Sequence, residues 1–323
     1  RPRASARGAV GTPICLAPMR GVANWRGLRE ASTPTALPSR KAQGPTGDAL
    51  GPRPSSPRGS GVSHAAAALP GRVALCQASQ ESGSFAPDKR RTLTRGEALR
   101  VYQKVAERVN DSEQGYGVAA VGALLGMLDF ERIDKVVEFG CGSGKLARRL
   151  FRDKLLQPST SRYWGIDQAP RMVQLAHEAH PEELRRCATF AELPQGNPSL
   201  LSQTLPEAKS TDLFLSTFVL DLLSDEDIFE VLRQADNMLD DGGYLALVGL
   251  TPGYNMATQI VAAAWATLHY VAPSVVGGCR AQVLEPYLEK AGFKVESRRV
   301  VSGPLFSLFP LASEAVVARK ALH

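Results

Sequence analysis

The stretch Val136-Val-Glu-Phe-Gly-Cys-Gly-Ser-Gly144 decides how this chain is to be read. The short apolar run Lys135–Phe139 contains adjacent β-branched residues and predicts a buried strand. Three glycines at alternate positions, Gly140, Gly142 and Gly144, then lead directly into a helical pattern beginning at Lys145. Glycine suits a tight turn and a ligand that must lie against bare backbone. Further on, the next strand-like run ends in Trp164-Gly-Ile-Asp167. A carboxylate at the tip of a second strand can accept both hydroxyls of a ribose. A dinucleotide loop would require G-x-G-x-x-G, because its third glycine lets the helix pack beside a pyrophosphate. Here that position is Lys145, and Glu138, two residues before the first glycine, would repel a pyrophosphate. The same acid suits a cationic amino acid moiety, so the chemistry favours S-adenosylmethionine over NAD. The competing reading is a helix-packing glycine turn with an incidental Asp167.

Outward from this loop the chain alternates between two periodicities. Helical patterns are expected over 95–110, 118–128, 145–155, 170–179, 225–239, 260–268 and 283–291. Strands are expected over 135–139, 163–166, 188–190, 212–218 and 244–250, with a final pair at 293–301 and 314–318. Pro170 sits in a first helical turn, where its missing N–H costs nothing. Ser224 with Asp227 forms an approximate capping box. Strands alternating with helices of this length predict an α/β fold with a doubly wound, mostly parallel sheet covered on both faces.

The formal charge of +6 is unevenly spread. Residues 1–87 hold 11 Lys+Arg against Glu30, Asp48 and Glu81, leaving 27 basic and 29 acidic residues for 88–323. The same tail carries 11 of the 22 prolines and shows neither helical nor strand periodicity. It is read as a disordered tail before a folded domain at 88–323, because it cannot bury enough apolar surface to offset its ordering entropy. Two readings of the tail stand: a solvated linker or translated upstream fragment, and an organelle transit peptide rich in Arg, Ser and Ala. Arg72-Val-Ala-Leu-Cys-Gln-Ala78 resembles a plastid processing site, with cleavage expected near Cys76 and a plastid favoured over a mitochondrion. The chain starts at Arg1 rather than Met, so a missing amino terminus is expected. The slightly acidic body argues against a nucleic-acid footprint, and no apolar run reaches the length of a transmembrane helix. Five scattered cysteines without a C-x-x-C pair exclude a disulfide framework and a zinc ribbon. Cys141 and Cys279 lack a third nearby thiol, so no metal site is expected.

Residues from about 95 to 320 resemble a class I S-adenosylmethionine-dependent methyltransferase of the small-molecule, quinone-biosynthesis-like group (type 11/25). The resemblance rests on Glu138-Phe-Gly-Cys-Gly-Ser-Gly144, Gly165-Ile-Asp-Gln-Ala-Pro-Arg-Met172, Thr211–Asp221, and Leu239-Asp-Asp-Gly-Gly-Tyr244 where the family has Leu-x-Pro-Gly-Gly. It implies a Rossmann-like, seven-stranded sheet and S-adenosylmethionine as cofactor. By the same resemblance Gly140, Cys141, Gly142 and Gly144 hold the methionine part, with Glu138 supporting the loop. Asp167 binds the ribose hydroxyls, the adjoining Gln168 is a further cofactor contact, and Met172 packs on the adenine side. Glu192 and Leu193 stand near the adenine edge, where the family often has Gly-Asp. Ser216 to Phe218 floor the sulfonium.

On the acceptor side, an oxygen nucleophile needs a general base, whereas an amine or carbanion needs only desolvation. Asp221 is the first candidate base, and its alternative is a helix-initiating or surface acid. His269 and Tyr270 follow the apolar 260–268 segment expected to roof the pocket, and a lone His there is more often structural. Tyr116, between Gly115 and Gly117, closes over the cofactor or simply packs. Arg280 pairs with an anionic substrate group or caps a helix. Leu305-Phe-Ser-Leu-Phe-Pro310 is expected as an exposed apolar loop meeting a hydrophobic substrate or a partner subunit; peripheral membrane contact is also compatible with the sequence. The expected function is methyl transfer to a small, lipophilic acceptor by in-line displacement. The alternative is an inactive cofactor-binding assembly or regulatory protein. Nucleic-acid methylation is disfavoured, since Ser216-Thr-Phe-Val219 stands where an Asn/Asp-Pro-Pro-Tyr/Phe motif would be.

Overall fold

The structure, a computed structural model, describes residues 92–106, 117–208, 210–305 and 309–320. The tail at 1–87, with its disorder and processing-site expectations, lies outside the described residues, as do Tyr116 and 306–308. In chain order the elements are α1 (Arg95–Ala106), α2 (Val118–Leu125), β1 (Lys135–Phe139), α3 (Lys145–Arg152), β2 (Arg162–Asp167), α4 (Pro170–Ala179) and β3 (Ala188–Glu192). There follow α5 (Leu201–Thr204), β4 (Thr211–Thr217), α6 (Asp225–Met238), β5 (Leu239–Leu250), α7 (Met256–Val271), α8 (Glu285–Lys290), β6 (Phe293–Leu305) and β7 (Phe309–Lys320).

Among the described residues the seven strands make one sheet in the order β3-β2-β1-β4-β5-β7-β6. The first five run parallel, and β7 is antiparallel to both β5 and β6. Alternation along each strand feeds two cores. Val137, Phe214 and Leu247 point to the side covered by α6 and α8, and Val136, Leu213 and Val248 to the side covered by α2, α3 and α4. Chain order reverses direction between β1 and β4, so a crevice opens at their carboxyl ends. Ligands of open parallel sheets bind there.

Several element ends differ from expectation for local reasons. α3 stops at Arg152 rather than Leu155 because Lys154 turns left-handed (φ 58°), and the Leu155 and Leu156 N–H groups both donate to the Leu150 carbonyl. α2 ends at Leu125, with Gly126 N–H closing on Gly122. α1 opens with a capping box that the sequence reading overlooked. Thr94 N–H donates to Glu97 Oε2 at 2.9 Å, and Glu97 N–H donates to Thr94 Oγ1 at 3.2 Å. At α6 only half of the expected box forms: Ser224 accepts from Asp227 N–H. α7 is longer than expected at both ends. It opens on a capping box of Asn255 and Thr258 and runs to Val271, so His269 and Tyr270 lie within it rather than after it. The final hairpin also reaches further, pairing Leu305 with Phe309; the rest of the expected apolar loop, 306–308, lies outside the described residues.

Candidate active site

The glycine loop is fastened to the neighbouring strand by its backbone. Gly140 and Cys141 N–H both donate to the Ile166 carbonyl, at 2.7 and 3.0 Å. Gly142 N–H donates to Asp167 Oδ2 and Ala169 N–H to Asp167 Oδ1, each at 2.9 Å. Asp167 therefore clamps the loop as well as standing at the β2 tip, a role invisible in linear spacing. The glycines are not equivalent. Gly140 (φ 77°) faces the Val219 side chain, with which any Cβ would collide. Gly142 (φ 51°) also requires the left-handed conformation, but a Cβ there would meet nothing within 4 Å. Bare backbone thus faces open space beside a carboxylate, which is the cradle a nucleoside-linked amino acid requires.

The electrostatics of this corner are acidic. Glu138 is fully buried and accepts the Tyr163 hydroxyl. Burial, reinforced by the Asp167 charge and opposed by the Tyr163 bond, pushes its carboxyl up to about 8. Burial also raises Asp167, against the opposing pull of the N–H groups of Ala169, Gly142 and Gln168. The buried Cys141 thiol is raised well above its ordinary value, first by desolvation and then by both carboxylates. That thiol is therefore inert packing against Gly165. In the β2–β3 register Asp167 stands beside Glu192, which is exposed at the β3 tip. A cationic ligand group is favoured beside the Asp167 and Glu192 carboxylates, whereas the buried Glu138, raised to about 8, serves the loop as a hydrogen-bonding group.

Other expected cofactor contacts fall into the scaffold. Ser216 Oγ donates across the sheet to the Phe139 carbonyl at 3.0 Å. Leu193 donates its N–H to the Asp167 carbonyl and buries its side chain in the core. Met172 is buried with Ala106 and Ala169 beneath α1. Gln168 packs its amide over the Gly196 turn. Phe218 is different: it holds φ 57°, a strained conformation for an aromatic residue, at the exit of β4. Its N–H caps the Val248 carbonyl at 2.7 Å, and its ring lies against Gly117.

The acceptor-side candidates divide clearly. Arg280 is 1% exposed and donates to Asp225 Oδ1 at 2.9 Å and to the Leu223 carbonyl at 2.6 Å. It is therefore committed to a buried ion pair at the start of α6, which replaces the substrate-anion reading, and Ser224, not this donor-only guanidinium, caps the helix. Tyr270 is 74% exposed on the outer face of α7, away from the packed interior, which removes it from the pocket. His269 is on the inner face, with Nε2 on the Gly278 carbonyl at 3.2 Å, a structural tie to the following turn. Asp221 is fully buried. Its Oδ2 accepts Leu250 N–H at 3.1 Å, and its Oδ1 has no hydrogen-bond partner among the described residues. Burial lifts its carboxyl to about 7, against the Leu250 bond. At the other end of the same residue, Gln282 N–H donates to the Leu250 carbonyl at 2.9 Å. The Gln282 amide is buried, and neither of its polar atoms is bonded among the described residues. The sequence reading passed over Gln282, and only its tertiary position marks it. No cluster of His, Cys, Asp or Glu among the described residues could hold a metal.

Residues 137–245 match the family model described as a methyltransferase domain. Among solved structures, a S-adenosylmethionine-dependent methyltransferase from Anabaena variabilis is similar at 14% identity and TM-score 0.52, over 74% of this chain and all of that one. The mitomycin 7-O-methyltransferase MmcR is similar at 20% identity and TM-score 0.50, over 71% of this chain and 61% of that one. No curated protein matches the chain in sequence. Residues 137–245 thus carry a methyltransferase domain, set in a sheet whose order and glycine loop have the fold of the S-adenosylmethionine-dependent methyltransferases of known structure. Its cofactor is S-adenosylmethionine, for which the open Gly142 backbone and the Asp167 carboxylate are fitting partners.

Proposed function

We propose that this enzyme methylates a small, uncharged and lipophilic acceptor, received at the carboxyl ends of β4 and β5. The open face of Gly142 beside the clamped Asp167 carries the cofactor half of this reading. The acceptor half is supported by apolar surroundings: Phe218 at the β4 exit, Trp265 of α7 clustered with it and with Leu222 and Leu250, and no Asp, Glu, Lys or Arg from Gly242 through Cys279. Such walls desolvate a neutral acceptor cheaply and would strip a charged one at high cost.

The cofactor supplies an electrophilic methyl group, and this chain must align a nucleophile and take up any proton released. Asp221 is suited to the second task if the nucleophile is a hydroxyl. One of its oxygens is already held by Leu250, the other has no partner, and a carboxyl near neutrality balances proton acceptance against driving force. The Gln282 side-chain amide offers a donor and an acceptor, and its backbone is tied to the same residue, Leu250. Transfer forms the acceptor oxygen–carbon bond as the carbon–sulfur bond breaks, sulfur keeping the electron pair and Asp221 the proton. The full chain incubated with methyl-labelled S-adenosylmethionine and fractionated organelle lipid extract should yield S-adenosylhomocysteine and an extractable labelled product. On that acceptor, Asp221→Asn should lower turnover on the order of 10²-fold with cofactor affinity intact. Cofactor binding without turnover on any fraction would instead favour an inactive binding protein.

A further inference from the structure

The outer face of α7 is the least explained surface among the described residues. This 16-residue helix has no charged side chain and is held from below. Thr258, Ala262, Trp265 and His269 are buried, Trp265 Nε1–H donates to the Cys279 carbonyl at 2.8 Å, and the Asn255–Thr258 box fixes the start. Among the described residues the opposite side takes no part in that anchoring, yet it is apolar: Met256 is 78%, Ile260 66% and Val271 75% exposed. Large apolar side chains left in water on a rigid helix mark an interaction surface.

The order of residues on this face identifies the partner. Met256, Ile260, Ala263, Thr267 and Tyr270 follow one another at alternating steps of four and three, the spacing of a two-helix seam. The seam is nearly symmetric about Ala263 and Ala264, with small side chains in the middle and large ones towards both ends. A second α7 laid antiparallel about that midpoint would set Met256 beside the partner's Tyr270 and the partner's Val271, and Ile260 against the partner's Thr267, the two helices approaching closest at the alanines. That self-complementarity is what an isologous two-fold contact demands. A membrane surface fits less well, because interfacial helices present Lys or Arg to the headgroups. From Gly242 through Cys279 there is neither. We propose that α7 is a homodimer contact, two copies of this chain packing antiparallel across their Ala263–Ala264 midpoints. The helix is about 24 Å long, so the seam alone covers less than the roughly 800 Å² per partner of a standard interface. A weak, concentration-dependent dimer follows rather than an obligate one.

Sedimentation velocity of the full chain from about 1 to 200 µM tests this. The mass should rise from that of the 34.6 kDa monomer towards twice it, and Ile260→Glu should hold the chain monomeric throughout with an unchanged melting temperature. Orientation is read by oxidative cross-linking against the unsubstituted chain as control. Ala263→Cys should give added disulfide dimer, whereas Met256→Cys alone should give none, its copies lying about 23 Å apart in an antiparallel pair. A monomer at 200 µM would overturn the proposal, as would a dimer indifferent to Ile260→Glu or added cross-linking through Met256→Cys. So would α7-dependent flotation of a monomer on phosphatidylcholine vesicles. None of these readouts depends on the acceptor, so failure here leaves the proposed function standing, and the reverse also holds.

Discussion

Gly142 and Gly140 are two residues apart, and the structure assigns them opposite sensitivities. Both hold positive φ, so replacing either with alanine costs about 1–2 kcal/mol of backbone strain. At Gly142 the added methyl meets no protein atom within 4 Å, so strain is the whole cost. For a body of this size that lowers the melting temperature by roughly 2–8 °C. The methyl stands where the cofactor's amino acid portion must approach, and even about 1.4–2.8 kcal/mol of lost contact weakens binding about 10- to 100-fold. At Gly140 the methyl runs into Val219, adding roughly 1–3 kcal/mol of overpacking to the same strain. Gly140→Ala should therefore melt lower than Gly142→Ala. The assay is isothermal titration with S-adenosylhomocysteine alongside calorimetric melting. If Gly142→Ala binds as tightly as the unsubstituted chain, the open space is not the ligand's, and the loop merely turns the chain into α3. NADH binding with no response to S-adenosylhomocysteine would overturn the spacing argument as well.

Three further outcomes are expected. Asp167→Ala should weaken S-adenosylhomocysteine binding about 10- to 100-fold, charge-assisted bonds to two ribose hydroxyls contributing roughly 1.5–3 kcal/mol each before water compensates. It should also lower the melting temperature, because the N–H groups of Gly142 and Ala169 lose their acceptor; intact binding would exclude Asp167 from the ribose site. Because Glu138 is raised from 4.5 to about 8, the folded state holds a proton that the unfolded chain releases, so stability should decline as pH rises from about 5 through 8. The slope contributed is at most about 1.4 kcal/mol per pH unit, and urea midpoints of Glu138→Gln, which keeps the acceptor for Tyr163, should decline less steeply than those of the unsubstituted chain. Finally, a chain beginning near Gln80 should keep its cooperative melt and its affinity for S-adenosylhomocysteine, on the composition of the tail. Loss of either would give the tail a structural role.

Periodicity and glycine spacing sufficed for the alternation of elements, the parallel core and the cofactor class. These signals are local: burial on both faces of β1 is written into Lys135–Phe139, and the positive-φ turn into Gly140–Gly144. Some local signals were legible but passed over, such as Thr94 with Glu97 and Asn255 with Thr258, which set the true starts of α1 and α7. The roles of isolated polar residues were not legible, because a side chain's role depends on partners distant in sequence. Arg280 and Tyr270 read alike as pocket candidates in the chain. The first is buried on Asp225, 55 residues away, and the second faces outward. Asp221 read as a candidate base or surface acid, but tertiary packing buries it against Leu250 and lifts it to about 7. Asp167 illustrates both levels. Its place at the tip of a strand follows from the pattern, but only the paired strands bring Gly142 and Ala169 within 2.9 Å of its two oxygens. Backbone preference and hydrophobic period act over a few residues and belong to the sequence. Hydrogen-bond partners and desolvation belong to the packed sheet, whose crossovers join residues the chain keeps far apart.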